Sequence, residues 1–422
     1  MAAPVGLYFW FITDYGVNVP FVDSWNGTLP LVVDFARGHL TLAELWQPHN
    51  ENRMLVPNVI LVLLDSNTRM NQVVDMLVSA SMLVGAVAIA VWLAARTLKL
   101  PLIWLIPIPA IMLALVQTQD ALWAFQLAWT LIILLTVVAL AMLELAGTKW
   151  SLFVVACCAA VLASFSSLQG LMVWPIGALY GAALGWQRRR AVIWIALGCV
   201  TAVVYTFHFG PVYPPANLGA IISQPILSFR FFLILIGSPF VYHPFAMGVL
   251  VLGLVGGSML LAFRGRPWAR YRLPLALIGT VLLFDVLVTQ GRVSLGLSQA
   301  NASRYTTYNL VLVASAYLLA VAAARPPRRM PRFGWPSGAS AYRFGLLSVA
   351  VILAAWQFGA GLPYGLQQGQ VFSASLSQGA SLLRNYPNVS APALGLHLFS
   401  GEGDYIEQWA PILKKYHWAP FP

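Results

Sequence analysis

The sequence predicts an all-α, polytopic membrane protein with about eleven transmembrane helices. Three observations carry that expectation. Of the 422 residues, 59% are hydrophobic and 9% charged, against about 45 to 50% apolar and roughly 25% charged in soluble domains. The apolar residues fall in repeated runs of ~20, the length at which a helix crosses a bilayer. Basic residues then recur in short clusters after every second run, the alternation that marks cytoplasmic loops. A soluble enzyme is excluded. The net charge of +11 is divided among loops instead of gathered on one soluble face, so it does not indicate nucleic acid. Cys157, Cys158 and Cys199 all lie inside apolar runs, which leaves neither a disulfide framework nor metal-type spacing.

The elements follow in order. An apolar stretch at residues 2 to 12 runs outward; it is short for a full span, so either the helix starts upstream or it is partly interfacial. Later spans are expected at 73 to 95, 100 to 117, 121 to 144, 151 to 168, 171 to 187, 191 to 208, 243 to 263, 273 to 289, 305 to 324 and 344 to 361. The basic clusters Arg96 and Lys99, Lys149, Arg188 to Arg190, Arg264 to Arg272 and Arg325 to Arg343 hold 15 of the 24 Lys and Arg and, apart from Glu144, no acid. Eleven of the 13 acids fall in the complementary loops, with Asp285 inside an apolar run. This puts the N-terminus inside, the C-terminus outside, and the polar chemistry on the outer face. Pro211, Pro214, Pro215, Pro225, Gly237 and Pro239 break any long helix over 209 to 242, which reads as an outer interfacial element. Residues 1 to 361 form the transmembrane module and the more polar 362 to 422 a small outer tail or cap.

The first outer loop, residues 13 to 72, is too long for a plain connection. Leu29, Leu31, Val32 and Phe35 space an amphipathic helix, and Thr41 with Glu44 fits a capping box for a second one ending at Pro48. Such helices lie on the bilayer surface and would hold Asp23, beside Trp25, and the run His49-Asn50-Glu51-Asn52-Arg53 at headgroup depth. A carboxylate there suits a general base on an acceptor hydroxyl, with Glu51 in reserve; Arg53 and His49 suit a phosphate. Solvated loop charges and belt tryptophans are the plainer account of the same residues.

A second constellation is Gly291-Arg292, Gly296 and Ala302-Ser303-Arg304-Tyr305-Thr306-Thr307. Arg304 opens a helix whose free amides and dipole favour an anion; interfacial snorkelling is the plainer account. Asp120 with Trp123 and Gln126, Ser166 to Leu171 with Trp174, and Arg230 also sit near the outer membrane edge. Helix-end chemistry explains all of these except Asp120, which is taken with Trp25, Asn50 and Tyr305 as cavity lining.

The combination Pro20-Phe-Val-Asp23-Ser-Trp25, a glycine before Leu-Thr-Leu, Leu45-Trp46, His49-Asn50-Glu51-Asn52-Arg53 and Ala302-Ser303-Arg304-Tyr305-Thr306-Thr307 resembles a bacterial family of polytopic membrane proteins related to the GT-C glycosyltransferases. The likeness covers nearly the whole chain. It departs at Asn52, where the family pattern has a second histidine, and at Phe21 and Val22, where it has an aromatic such as Tyr or Trp. The resemblance implies a GT-C-like fold in the bacterial inner membrane and transfer of a sugar from a polyprenyl-phosphate donor, on the outer face, to a glycan, lipid or protein acceptor. Asp23 would match the catalytic acid, with Arg304, Arg292, Arg53 and His49 on the donor phosphate. One base suffices for a single inverting displacement. No cofactor, metal or nucleic acid is called for; the arginines neutralise the leaving phosphate, and no Gly-rich nucleotide loop is present. The rival class is a transporter or lipid flippase, suggested by Asp285 in hydrocarbon; it predicts polar residues along a whole mid-membrane path, whereas these gather at one edge.

Overall fold

A computed structural model describes residues 1–207, 209, 219–264, 268–325 and 337–421. Pro211, Pro214, Pro215, Arg266, Arg328, Arg329 and Arg332 lie outside these residues. The chain is nearly all helix, and the one sheet among the described residues is a two-stranded hairpin.

The order begins with α1 (Ala2–Tyr15), then a π-helical turn (Ser24–Thr28) running into α2 (Leu29–Ala36), α3 (Leu42–Trp46), the hairpin β1 (Pro48–His49) and β2 (Asn52–Arg53), and α4 (Leu55–Thr68). The bundle continues with α5 (Gln72–Leu98), α6 (Pro107–Met112), α7 (Thr118–Leu122), α8 (Leu127–Ala146), α9 (Trp150–Ser164), α10 (Val173–Ala183) and α11 (Arg188–Thr206). It closes with α12 (Ala220–Ser223), α13 (Pro225–Gly237), α14 (Pro244–Phe263), α15 (Arg272–Arg292), α16 (Ser303–Ala324), α17 (Ser337–Arg384), α18 (Ala391–Leu398) and α19 (Gly403–Tyr416).

Seven helical segments among the described residues are long and apolar enough to cross a membrane: Gln72–Leu98, Ala124–Ala146, Arg188–Thr206, Pro244–Phe263, Trp268–Leu295, Ser303–Ala324 and Ser340–Arg384. The other four expected spans are shorter helices. Residues 2 to 12 become the 14-residue α1, 151 to 168 the 15-residue α9, and 171 to 187 the 11-residue α10. Pro101, Pro107 and Pro109 cut 100 to 117 into a 3₁₀ turn and the six-residue α6. α16 is the central column, buried along almost its whole length, which is why its sequence is apolar all round beyond the polar first turns.

Three expectations are corrected. The apolar side of α2 is mostly turned to protein instead of a bilayer: Leu29, Leu31, Val32 and Val33 are buried in one core with Leu376, Leu383, Leu394, Ile406, Leu413 and Trp418, while Phe35 stays exposed. Position 362 is not a boundary, because α17 runs through it unbroken to Arg384. The rise in polarity marks where the helix leaves the apolar part of the bundle, and its far end joins α18, α19 and the first loop in a common cap. Nor does 225–237 lie wholly at the surface: Ile226 and Phe229 in its first half are exposed, but its second half enters the bundle. In α13 Phe231, Leu235 and Ile236 are fully buried, and the helix packs on α14 so closely that a Cβ at Gly248 would lie 2.0 Å from the Leu233 carbonyl oxygen. Other expected details appear as drawn: Thr41 Oγ1 accepts from the Glu44 amide at 3.3 Å while the Thr41 amide donates to Glu44 Oε2 at 2.7 Å.

If the basic clusters face the cytoplasm, single cysteines at the exposed positions Asn26 and Ser400, in a cysteine-free background, should react with an impermeant thiol reagent in intact cells. One at the exposed Arg189 should stay unlabelled; labelling there would invert the topology.

At the junction of α4 and α5, the Gln72 amide donates to Asp65 Oδ1 at 3.1 Å and Asp75 Oδ2 at 3.3 Å, and all three side chains are buried. Burial pushes the Asp65 carboxyl, packed beside Asp75, well above the ordinary carboxylate range. The unfolded carboxyl ionises at ~4, so the stability from the protonated group is complete below that pH and is lost as pH rises through the raised folded value. The melting temperature in detergent should therefore fall as pH rises above ~5, and Asp65→Asn, which leaves Asp75 in place, should make that fall shallower. An equally steep slope in the variant would contradict the assignment.

Candidate active site

The loop that carries Asp23 is held from both sides. Val22 adopts φ 41°, an outlier for a β-branched residue, and its amide donates to the Leu398 carbonyl of the cap at 2.8 Å. Phe21 stacks edge-on against Trp123 and Phe372, with ring centres 5.3 and 5.2 Å away, and its carbonyl accepts from Trp123 Nε1 at 3.0 Å. Strain of this kind persists only where the surroundings over-determine it. Its consequence is that Asp23 stands at the head of the π-helical turn, in the wall of a cavity of about 420 Å³.

The hairpin supplies the facing wall. Its turn, Asn50-Glu51, has Asn50 at φ 52°, a conformation asparagine tolerates. His49, Asn50, Glu51 and Asn52 all line the cavity. His49 Nε2 lies 3.4 Å from Asp23 Oδ1, and the His49 ring packs against Phe125 at 5.0 Å. Asn52 faces Ser167: its side-chain oxygen accepts from Ser167 Oγ at 2.6 Å and from the Leu168 amide at 3.2 Å, so it ties the hairpin to the loop after α9.

The third wall comes from the end of α15 and the start of α16. Arg292 donates to Glu51 Oε1 at 2.7 Å. Arg304 forms no ion pair with a carboxylate among the described residues; its Nη2 donates to the Gln299 side-chain oxygen at 3.2 Å and its guanidinium lies 5.1 Å from the Tyr305 ring. The expectation of a free amide at this helix start is corrected, because the Arg304 amide donates to Gln119 Oε1 at 3.3 Å. What Arg304 brings to the cavity wall is a positive charge outside any ion pair among the described residues; Tyr305 lines the cavity beside it.

Three expected residues lie elsewhere. Trp25 is fully buried in the cap core. Arg53, with no exposed surface, points away from the cavity: its guanidinium donates to the backbone carbonyls of Trp46, Tyr205 and Phe207 and stacks over Trp46 at 4.3 Å. Its amide donates to the Tyr205 hydroxyl at 2.9 Å, which in turn donates to the Glu51 carbonyl at 3.2 Å. Arg53 is thus the strut of the hairpin. Asp120 lies beneath the cavity, bonded to Thr307. Burial pushes its carboxyl well above the carboxylate range, against the pull of Thr307 and Arg304. Thr307 Oγ1 donates to Asp120 Oδ2 and also faces the Gln117 side-chain oxygen at 2.8 Å.

The reverse holds for residues set down to helix-end chemistry. Gln126, Ser167 and Gln169 line the cavity, together with Trp123, Trp129 and Gln290. Their sequence signal was a polar residue at each break between apolar helices. Asp285, fully buried in α15, has its Oδ1 bonded to Asn309 Nδ2 at 3.0 Å and is not among the cavity's lining residues. Among the described residues no three His, Cys, Asp or Glu converge to hold a metal ion. Comparison with family models, curated proteins and solved structures gave no match.

Proposed function

We propose that the chain is a membrane glycosyltransferase of GT-C type that transfers a sugar from a polyprenyl-phosphate donor to an acceptor hydroxyl by a single inverting displacement. The observation that carries the reading is one cavity, at one end of a bundle of apolar helices, that holds a carboxylate, Asp23, and an arginine, Arg304, that forms no ion pair with a carboxylate among the described residues. The resemblance of the two loop motifs to the GT-C-related family supports the same reading. The donor phosphate sits at Arg304, whose planar fork grips phosphate oxygens with parallel bonds. Asp23 takes the proton of the acceptor hydroxyl as that oxygen attacks the anomeric carbon, and the lipid phosphate leaves against Arg304. His49, 3.4 Å away, positions the Asp23 carboxylate. Glu51 and Arg292, already bonded to each other, shape the cavity between them.

The test is transfer in membranes from a polyprenyl-phosphate sugar compared with a nucleotide sugar. Parent protein should use only the lipid donor. Arg304→Lys keeps the charge but loses the fork, so donor affinity should fall, and it should fall further in Arg304→Ala. Direct use of nucleotide sugars, or unchanged donor binding by both folded variants, would overturn the proposal.

A further inference from the structure

Two helices join the cavity described above to the opposite end of the bundle. α8 starts at its wall, where Ala128 and Trp129 line it, and α15 ends there with Arg292; each is about 20 residues long, so their other ends lie about 30 Å away. At that far end the last turn of α8, the end of α10 and the start of α11 enclose a second cavity of about 280 Å³.

Its cation is Arg190, only 6% exposed. One guanidinium nitrogen donates to the Gly147 carbonyl, and the group lies against the Trp150 and Phe153 rings at 5.0 and 5.5 Å. Its Nε is buried without a hydrogen-bond partner. Buried charges are ordinarily paired, and the one acid in this wall is already taken. Glu144 accepts from Arg272 at 2.8 and 2.5 Å and from the Tyr180 hydroxyl at 2.8 Å. The 19-residue α11 begins at Arg188, so the positive end of its dipole adds to the field. Lys149, Arg188 and Arg189 are exposed beside it.

We propose that this cavity binds the phosphate of an anionic phospholipid headgroup. A phosphodiester supplies the anionic partner that Arg190 lacks and answers the surrounding positive charge. The source is a lipid and not free phosphate because Trp150, Leu184 and Trp186 give the cavity an apolar wall at the end of membrane-length helices, where acyl chains run alongside. Basic pockets between membrane helices commonly hold such headgroups. The inference does not depend on the transferase reading.

The experiment follows thermal unfolding of the detergent-purified protein with four probes: short-chain phosphatidylglycerol, short-chain phosphatidylcholine, the matching diacylglycerol without phosphate, and inorganic phosphate. Phosphatidylglycerol should raise the melting temperature saturably, and more than phosphatidylcholine does; diacylglycerol and inorganic phosphate should not. Arg190→Gln should weaken that binding at least tenfold. Thr148→Glu changes an exposed residue of the cavity wall and provides Arg190 with an internal carboxylate, so it should compete with the lipid while leaving the fold intact. Lipid stabilisation unchanged in Thr148→Glu, or reproduced by inorganic phosphate or diacylglycerol alone, would overturn the proposal.

Discussion

Asp23→Asn is expected to fold and bind donor as the parent does, and to turn over ~10²-fold more slowly or worse. Asparagine keeps the size and much of the hydrogen bonding of the carboxylate but cannot take a proton from the acceptor. The surroundings separate this loss from a folding defect: what shapes the loop is the backbone bond from Val22 to Leu398 and the packing of Phe21 on Trp123 and Phe372, none of which uses the Asp23 side chain. Glu51→Gln should lose less activity, because the Glu51 carboxylate is already committed to Arg292 at 2.7 Å. The measurement is initial rate and donor affinity in the same membranes. Near-parental turnover by Asp23→Asn would sink the assignment, whereas a dead Glu51→Gln beside an active Asp23→Asn would move the base along the loop.

Length and hydropathy made the long helices legible, since a segment such as 305 to 324 needs no tertiary information to be read as a span. Residue chemistry made much of the cavity legible as well: Asp23, His49, Asn50, Glu51, Arg292, Arg304 and Tyr305 all line it, because polar groups gathered at one edge of apolar helices have few other places to go. Direction was not legible. Arg53 sits in the same polar run as Glu51, yet its side chain is aimed by carbonyls at Tyr205 and Phe207, far along the chain. The hairpin itself leaves no sequence signal because each strand is two residues long and its turn, Asn50-Glu51, lacks the glycine that usually advertises one. The prolines around α13 suggest a helix outside the bundle, yet close backbone packing at Gly248 holds its second half inside.

Those two observations about the hairpin lead to the other large effect, expected at Arg53. Its guanidinium satisfies the carbonyls of Trp46, Tyr205 and Phe207 at once, so it fastens the hairpin both to the end of α3 and to the end of α11. Arg53→Ala strips all three acceptors of their donor. Of the three bonds the one to the Tyr205 carbonyl is buried; an orphaned buried polar group costs about 1 to 3 kcal/mol, so the variant should lose about that much stability. It should also lose activity without touching substrate, since His49, Asn50 and Glu51 would no longer be held against Asp23. Arg53→Lys should rescue little, because one ammonium on a flexible stem cannot reach three divergent carbonyls. Thermal unfolding and transfer rate, measured on the same preparations, separate this role from phosphate binding. A strut predicts that melting temperature and rate fall together in both variants. A phosphate ligand predicts a parental melting temperature with weakened donor affinity, and that outcome would return Arg53 to the cavity.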